Sequence, residues 1–164
     1  MSVICYLGLG SNIGDSDQNI LQAIKYIAGI ENVKVIKIAS FYLTKAWGKT
    51  NQADFVNTAI EIECCLTAHQ LLHELQTIEV KVGRVKAEKW GPRSIDIDIL
   101  TFGDMLIDQA DLKIPHPFLT QRSFVLAPLY ELNKKLEIIE KGPLKSYINK
   151  NLFATEIIDK YVAQ

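Results

Sequence analysis

A surplus of basic charge is the first thing this sequence lacks. Its 18 Lys+Arg are offset by 19 Asp+Glu, for a net charge of −1, whereas a general polyanion binder carries a basic excess. Nucleic acid is therefore not expected as a partner, and any phosphate chemistry must come from local clustering. Cysteine is also scarce. Three residues, Cys5, Cys64 and Cys65, are odd in number with two adjacent, which excludes a disulfide framework and a CxxC metal site. They read as small hydrophobes in strands. No apolar run approaches the ~20 residues of a membrane span, and the opening MSVICYLGLG has neither a basic n-region nor a cleavage site. The expectation is a soluble, cytoplasmic chain with no membrane partner. Repeats and interdomain linkers are missing too, so residues 1–164 are expected to form a single domain.

What is present is regular alternation. VICYLGLGS (3–11) reads as a buried strand entering a Gly-rich turn. In SDQNILQAIKYIAG, Ile20, Leu21, Ile24 and Ile27 recur at helical spacing, with Ser16 or Asp17 to cap the start and Gly29 the end. Strand alternation returns in residues 33–44 and 54–64. Residues 67–83 open with a Thr67/Gln70 capping box and carry Leu71, Leu72, Leu75, Ile78 and Val82 as a buried stripe. A strand over 94–102 follows. The proline-punctuated stretch 111–132 predicts short helical turns, and 143–163 a weak helix. The order β-α-β-β-α-β predicts an α/β (α+β) protein with a ferredoxin-like split βαβ core, a mainly antiparallel sheet flanked by helices, and a C-terminal helical extension.

The chemistry concentrates in KWGPRSIDIDILTF (89–102). Strand period places Ile95, Ile97 and Ile99 on one face and Asp96 and Asp98 on the other. Strands disfavour Asp, and two neighbouring carboxylates repel unless a cation sits between them or one is protonated. A DxD strand of hard oxygen ligands suits Mg²⁺ with phosphate oxygens and water; a solvated strand face is the bland alternative. Arg84, Lys86, Lys89 and Arg93 lie just upstream in a loop broken by Gly83, Gly91 and Pro92. Carboxylates for metal and arginines for developing charge are the elements of phosphoryl transfer.

Other signals are weaker. GLGSNIGD has Ile13 where a GxGxxG motif needs glycine and lacks the P-loop Lys-Ser/Thr, so it reads as a tight strand–helix connection. His69 and His73 have zinc-compatible spacing but no third ligand, and read as a polar helix face. His116, set between two prolines with Arg122 following, suits either an anion contact or a turn-stabilising hydrogen bond. Trp47 and Trp90 stand in polar loops, where a ring often serves as a ligand platform.

Taken together, LGLGSNIGD, SFYLT, DFVNTA, IEVKVGR, KWGPRSIDIDIL and IPHPFLTQRSFVLAPL resemble the 6-hydroxymethyl-7,8-dihydropterin pyrophosphokinases of folate biosynthesis, in the family's order and over nearly the whole chain. The resemblance implies a monomer that transfers the β,γ-pyrophosphoryl group of ATP to the pterin hydroxymethyl and releases AMP. It implies that Asp96 and Asp98 bind two Mg²⁺ ions and that Arg84 and Arg93 act on the phosphates. Asn57 would read the pterin edge, Phe55 and Phe124 would stack on it, and Thr44, Ala46, Trp47 and Trp90 would line its pocket. Gln76, Glu79, Arg84, Trp90, Arg93, Ile99, His116 and Arg122 fall where the family holds ATP. TKAWG replaces a Pro-rich TxPxG-type loop, and Lys86 and Lys89 stand where arginines are common, keeping the charge but not the bidentate fork. Two rival readings of the residues are a two-metal phosphohydrolase and a small-molecule-binding regulatory module on the same core.

Overall fold

Alternating apolar residues build the sheet and helical spacing covers it. The computed structural model describes residues 1–46, 52–83 and 94–163. The chain runs β1 (Val3–Ser11), α1 (Ser16–Ala28), β2 (Val33–Ile38), β3 (Phe41–Thr44), β4 (Phe55–Cys64), α2 (Ala68–Lys81) and β5 (Asp96–Phe102). Two short pairs, β6 (Ile107–Asp108) with β7 (Lys113–Ile114) and β8 (Glu137–Ile138) with β9 (Gly142–Pro143), flank α3 (Ser123–Leu132). Helix α4 (Lys150–Glu156) and strand β10 (Ile157–Tyr161) follow.

The six-stranded sheet has the order β10-β3-β4-β1-β5, with β2 also pairing β4, and its ladders are antiparallel. With β2 and β3 counted as one interrupted strand, this is the order expected of a split βαβ core. The expected single strand 33–44 is in fact broken at Ser40. There the backbone N–H donates to Glu131 Oε2 at 2.8 Å, so a side chain on α3 takes a group that a continuous ladder would have used.

Helices α1 and α2 cover one face. Ile20, Ile24, Ile27, Leu71, Leu75 and Ile78 pack there on Cys5, Leu7, Leu9, Ile97 and Ile99, and each full burial is worth about 1.5–3 kcal/mol. Helix α3 covers part of the other face, with Leu126 and Leu129 beside Tyr6, Ala59 and Leu100. Asp15, rather than Ser16 or Asp17, caps α1 by accepting from Gln18 N–H, while Gly29 ends it as expected. The Thr67/Gln70 capping box forms in full.

The C-terminal third departs most from expectation. Residues 123–132 form a continuous helix despite Pro128, because a proline lacking its N–H is tolerated when apolar packing outweighs one lost helical bond. The helical reading of 143–163 holds for α4 and a 3₁₀ turn at Leu144–Tyr147; the end is strand β10 on the sheet edge.

Candidate active site

Three adjacent strands present one set of side chains in register. Gly10 pairs with Asn57 of β4 and with Asp96 of β5, and Gly8 pairs with Ala59 and Asp98. Paired residues share a face, so Asn57–Gly10–Asp96 and Ala59–Gly8–Asp98 are two neighbouring rows with a floor of glycine and alanine. Strand spacing puts the Asn57 and Asp96 backbones about 10 Å apart across that floor. Gly10 is demanded by close approach, since a Cβ there would stand 2.5 Å from Asn57 Oδ1. Sequence reasoning missed this role by assigning both glycines to a turn. The available signal was their i, i+2 spacing inside an apolar strand, which places two absent side chains on one face.

On one side of the floor, Asn57 Nδ2 donates to Thr44 Oγ1 at 2.8 Å. Both residues are buried, so the orientation of the amide is set by β3. Half-buried Phe55 precedes Asn57 by two positions on the same face. Ala46 is buried where the chain leaves β3.

On the other side, Ile95, Ile97 and Ile99 are buried and Asp96 and Asp98 half-buried, as alternation predicts. The side chain of Ile99 thus lies in the core, on the face away from the aspartates. Glu79 reaches from α2 to accept the Ile97 N–H at 2.8 Å. Gln76 is exposed on the same helix. The His116 backbone N–H donates to Leu100 O at 2.9 Å. Its imidazole Nδ1 accepts from Phe118 N–H at 3.2 Å, and Nε2 stands 3.8 Å from Asp98 Oδ2. The turn-stabilising hydrogen bond expected of His116 is thus made by Nδ1, while Nε2 faces Asp98.

Burial, and then the charge of Arg122, push the His116 pKa from 6.5 down to about 4 against the opposing pull of Asp96. The imidazole is thus neutral at pH 7, and its approach to Asp98 is not an ion pair. With Nδ1 accepting, Nε2 carries the proton. The Arg122 guanidinium carbon lies 4.7 Å from the Phe118 ring centroid and 5.4 Å from that of Phe124, a cation–π arrangement that orients the group. Burial lowers the Arg122 pKa, with Asp98 and Asp96 opposing the effect.

Among the described residues, no group of three or more His, Cys, Asp or Glu gathers as a metal site. The donor set is two half-buried carboxylates, which fits a hard cation that completes its shell with substrate oxygens and water. His69 instead approaches Asp111 at 3.5 Å on the helix surface, and His73 is exposed. Cys5 and Cys64 are buried as expected, whereas Cys65 is exposed. Trp47, Arg84, Lys86, Lys89, Trp90 and Arg93 lie outside the described residues.

Carboxylates beside a buried arginine and a neutral imidazole, facing a buried amide across a glycine floor, define a class of protein. It is a mixed α/β domain whose sheet carries a carboxylate pair and a buried amide on one face. The family model for 7,8-dihydro-6-hydroxymethylpterin-pyrophosphokinase matches residues 6–134. A 2-amino-4-hydroxy-6-hydroxymethyldihydropteridine pyrophosphokinase of Aquifex aeolicus is 42% identical over 147 residues, covering 89% of this chain and 91% of the relative. One of the same name from Bacillus subtilis is 42% identical over 137 residues, covering 84% and 82%. A crystal structure of Plasmodium falciparum HPPK-DHPS with pteroate superposes with a TM-score of 0.69 at 15% identity, over 92% of this chain and 42% of that one. That likeness bears on the fold, and the chain spans less than half of the longer protein. The chain belongs to the 7,8-dihydro-6-hydroxymethylpterin-pyrophosphokinase family.

Proposed function

We infer that the protein is an ATP-dependent pyrophosphokinase of folate biosynthesis, moving the β,γ-pyrophosphoryl group of ATP to the hydroxymethyl of 6-hydroxymethyl-7,8-dihydropterin. Family membership across residues 6–134 supports the reaction. The observation that carries the site assignment is the row Asn57–Gly10–Asp96, which sets a heterocycle-reading amide and a cation-binding carboxylate on either side of one glycine.

In the proposed arrangement Asn57, oriented by Thr44, hydrogen-bonds the pterin edge, and Phe55 and Phe124 flank the ring beside Ala46 and Trp47. Asp96 and Asp98 hold two Mg²⁺ ions; when bound, such ions neutralise phosphate oxygens and reduce the repulsion between ATP and the incoming alcohol. Arg122, His116 through its Nε2–H, and Arg84 and Arg93 contact the phosphates. Gln76, Trp90 and the Ile99 backbone contact the rest of the nucleotide. Glu79 holds the backbone between the aspartates. The hydroxymethyl oxygen attacks the β-phosphorus, the bond from that phosphorus to the α–β bridging oxygen breaks, AMP departs, and the hydroxyl proton passes to solvent.

No described helix is long and apolar enough to cross a membrane. The proposal places the whole chain 1–164 as one catalytic unit, acting as a cytoplasmic monomer. The test is incubation with ATP, Mg²⁺ and the hydroxymethyl pterin: AMP is expected in a pterin-dependent manner. ATP hydrolysis without pterin dependence favours a phosphohydrolase, and a folded protein that forms no AMP overturns the assignment.

A further inference from the structure

Residues 150–161 lie beyond the segment that the family model matches, 6–134, yet they touch both walls of the proposed pterin side. Strand β10 pairs with β3, with Ile157 opposite Thr44 and Tyr161 opposite Phe41. Its far end is well secured without Glu156. The Tyr161 hydroxyl donates to Asp17 Oδ1 at 2.7 Å, its ring meets Phe41 edge-on at 6.1 Å, and Lys160 lies 3.6 Å from Glu131.

The near end makes a different connection. The Glu156 carbonyl accepts the Lys45 N–H at 3.2 Å, at the point where the chain leaves β3 between Thr44 and Ala46. The Glu156 carboxylate accepts from Ser123 Oγ, which is fully buried and sits between Arg122 and Phe124 at the start of α3. One residue thus joins the Thr44–Ala46 segment to the α3 start. Thr44 in turn holds the Asn57 amide, so a shift at Lys45 is passed to the residue that faces Gly10.

We propose that Glu156 is a positioning residue for the pterin substrate, fixing the separation between the Thr44–Ala46 wall and the Ser123–Phe124 wall. The proposal rests on the reading of Asn57, Phe124 and Ala46 as the pterin side. Because β10 is anchored at Tyr161 and Lys160, losing the carboxylate leaves the sheet intact and loosens the joint.

The experiment compares the full-length wild type with Glu156→Ala, Glu156→Gln, Ser123→Ala and the Glu156→Ala/Ser123→Ala double variant. Thermal midpoints are recorded, KM is measured for each substrate, and pterin binding is followed by fluorescence titration. Loss of one charge-assisted hydrogen bond predicts a rise of about tenfold in pterin KM and Kd for both single alanine variants. ATP KM is expected to stay within about twofold, since Arg122, although next to Ser123, is held separately by the Phe118 ring at 4.7 Å. Glu156→Gln restores most of the binding, because its amide oxygen accepts the same hydroxyl, and the double variant is no worse than either single one. Unchanged pterin binding in folded variants, equal rises in both KM values, or a Gln variant as impaired as the Ala variant overturns the proposal. A wild type that forms AMP while the variants match it overturns this inference alone. A wild type that neither binds the pterin nor forms AMP overturns the underlying assignment along with it.

Discussion

Glu79 accepts the amide N–H of Ile97 at 2.8 Å, so helix α2 grips strand β5 at the residue between its two aspartates. The carboxylate is buried, and a buried acceptor removed from its donor costs about 1–3 kcal/mol. Glu79→Leu is expected to lose that much stability in urea denaturation and to lower kcat, because the aspartates lose their backbone reference. Glu79→Gln keeps an acceptor oxygen and is expected to fall between the two. A Leu variant with wild-type stability and turnover would show that the contact does neither job.

Asp96→Ala and Asp98→Ala are expected to remain folded, since both side chains are half-buried on the face away from the isoleucines. Under the proposed metal role, turnover should fall about a hundred- to a thousandfold when either carboxylate is removed. Mg²⁺ titration of AMP formation checks this. Retained activity with unchanged Mg²⁺ dependence in either variant rejects the metal role for that residue.

Gly10→Ala tests the floor. The added methyl would meet Asn57 Oδ1 at 2.5 Å, so the amide must rotate off Thr44 or the strands must separate. Pterin affinity is expected to drop by about tenfold or more, the cost of one displaced buried hydrogen bond. Gly8→Ala meets Leu100 side-chain carbons at 3.4 Å, an ordinary contact, and should be much milder. Direct binding measurements on both variants compare the two positions.

Three phenols are held by carboxylates: Tyr6 by Glu61 at 2.6 Å, Tyr42 by Glu131 at 2.7 Å and Tyr161 by Asp17 at 2.7 Å. Burial, then the bonded carboxylate, raise all three pKa values, that of Tyr6 from 10.0 to about 12. The unfolded chain releases these protons first, so the stability that these phenols contribute is fully present below pH 10.0 and declines as pH rises toward about 12. Tyr6→Phe removes one titrating group and should flatten that decline, read as the difference in denaturation free energy between pH 9 and 11 (about one proton's worth of slope). An unchanged slope removes Tyr6 from the account.

Thiol titration offers a simpler check. Cys65 is exposed, while Cys5 and Cys64 are buried. Burial raises both buried thiols, Cys5 from 9.0 to about 12. A thiolate-selective reagent should modify one cysteine rapidly in the native protein and all three after unfolding.

The core elements were legible because they repeat a local rule. β1, α2 and its capping box follow from alternation or spacing alone, and the separation of Asp96 and Asp98 from their neighbouring isoleucines is pure strand period. What stayed hidden was set by distant partners. The break at Ser40 depends on Glu131, ninety-one positions away, and the strand at 157–161 gains its ladder only from β3. The floor at Gly8 and Gly10 left only its i, i+2 spacing as a mark in the sequence, and its importance appears when Asn57 is laid across it.

Strand β5 closes one end of the sheet, pairing with β1 and with no further strand among the described residues. An open edge of this kind is a template for pairing with a second chain. Here Glu79 occupies the Ile97 N–H and the His116 amide occupies the Leu100 carbonyl, while the paired aspartates add charge that a docking strand would have to bury. Glu79 and His116 thus take up two edge groups that a second chain's strand would otherwise use. Variants made to probe catalysis at Glu79 should therefore be examined for aggregation as well as for rate.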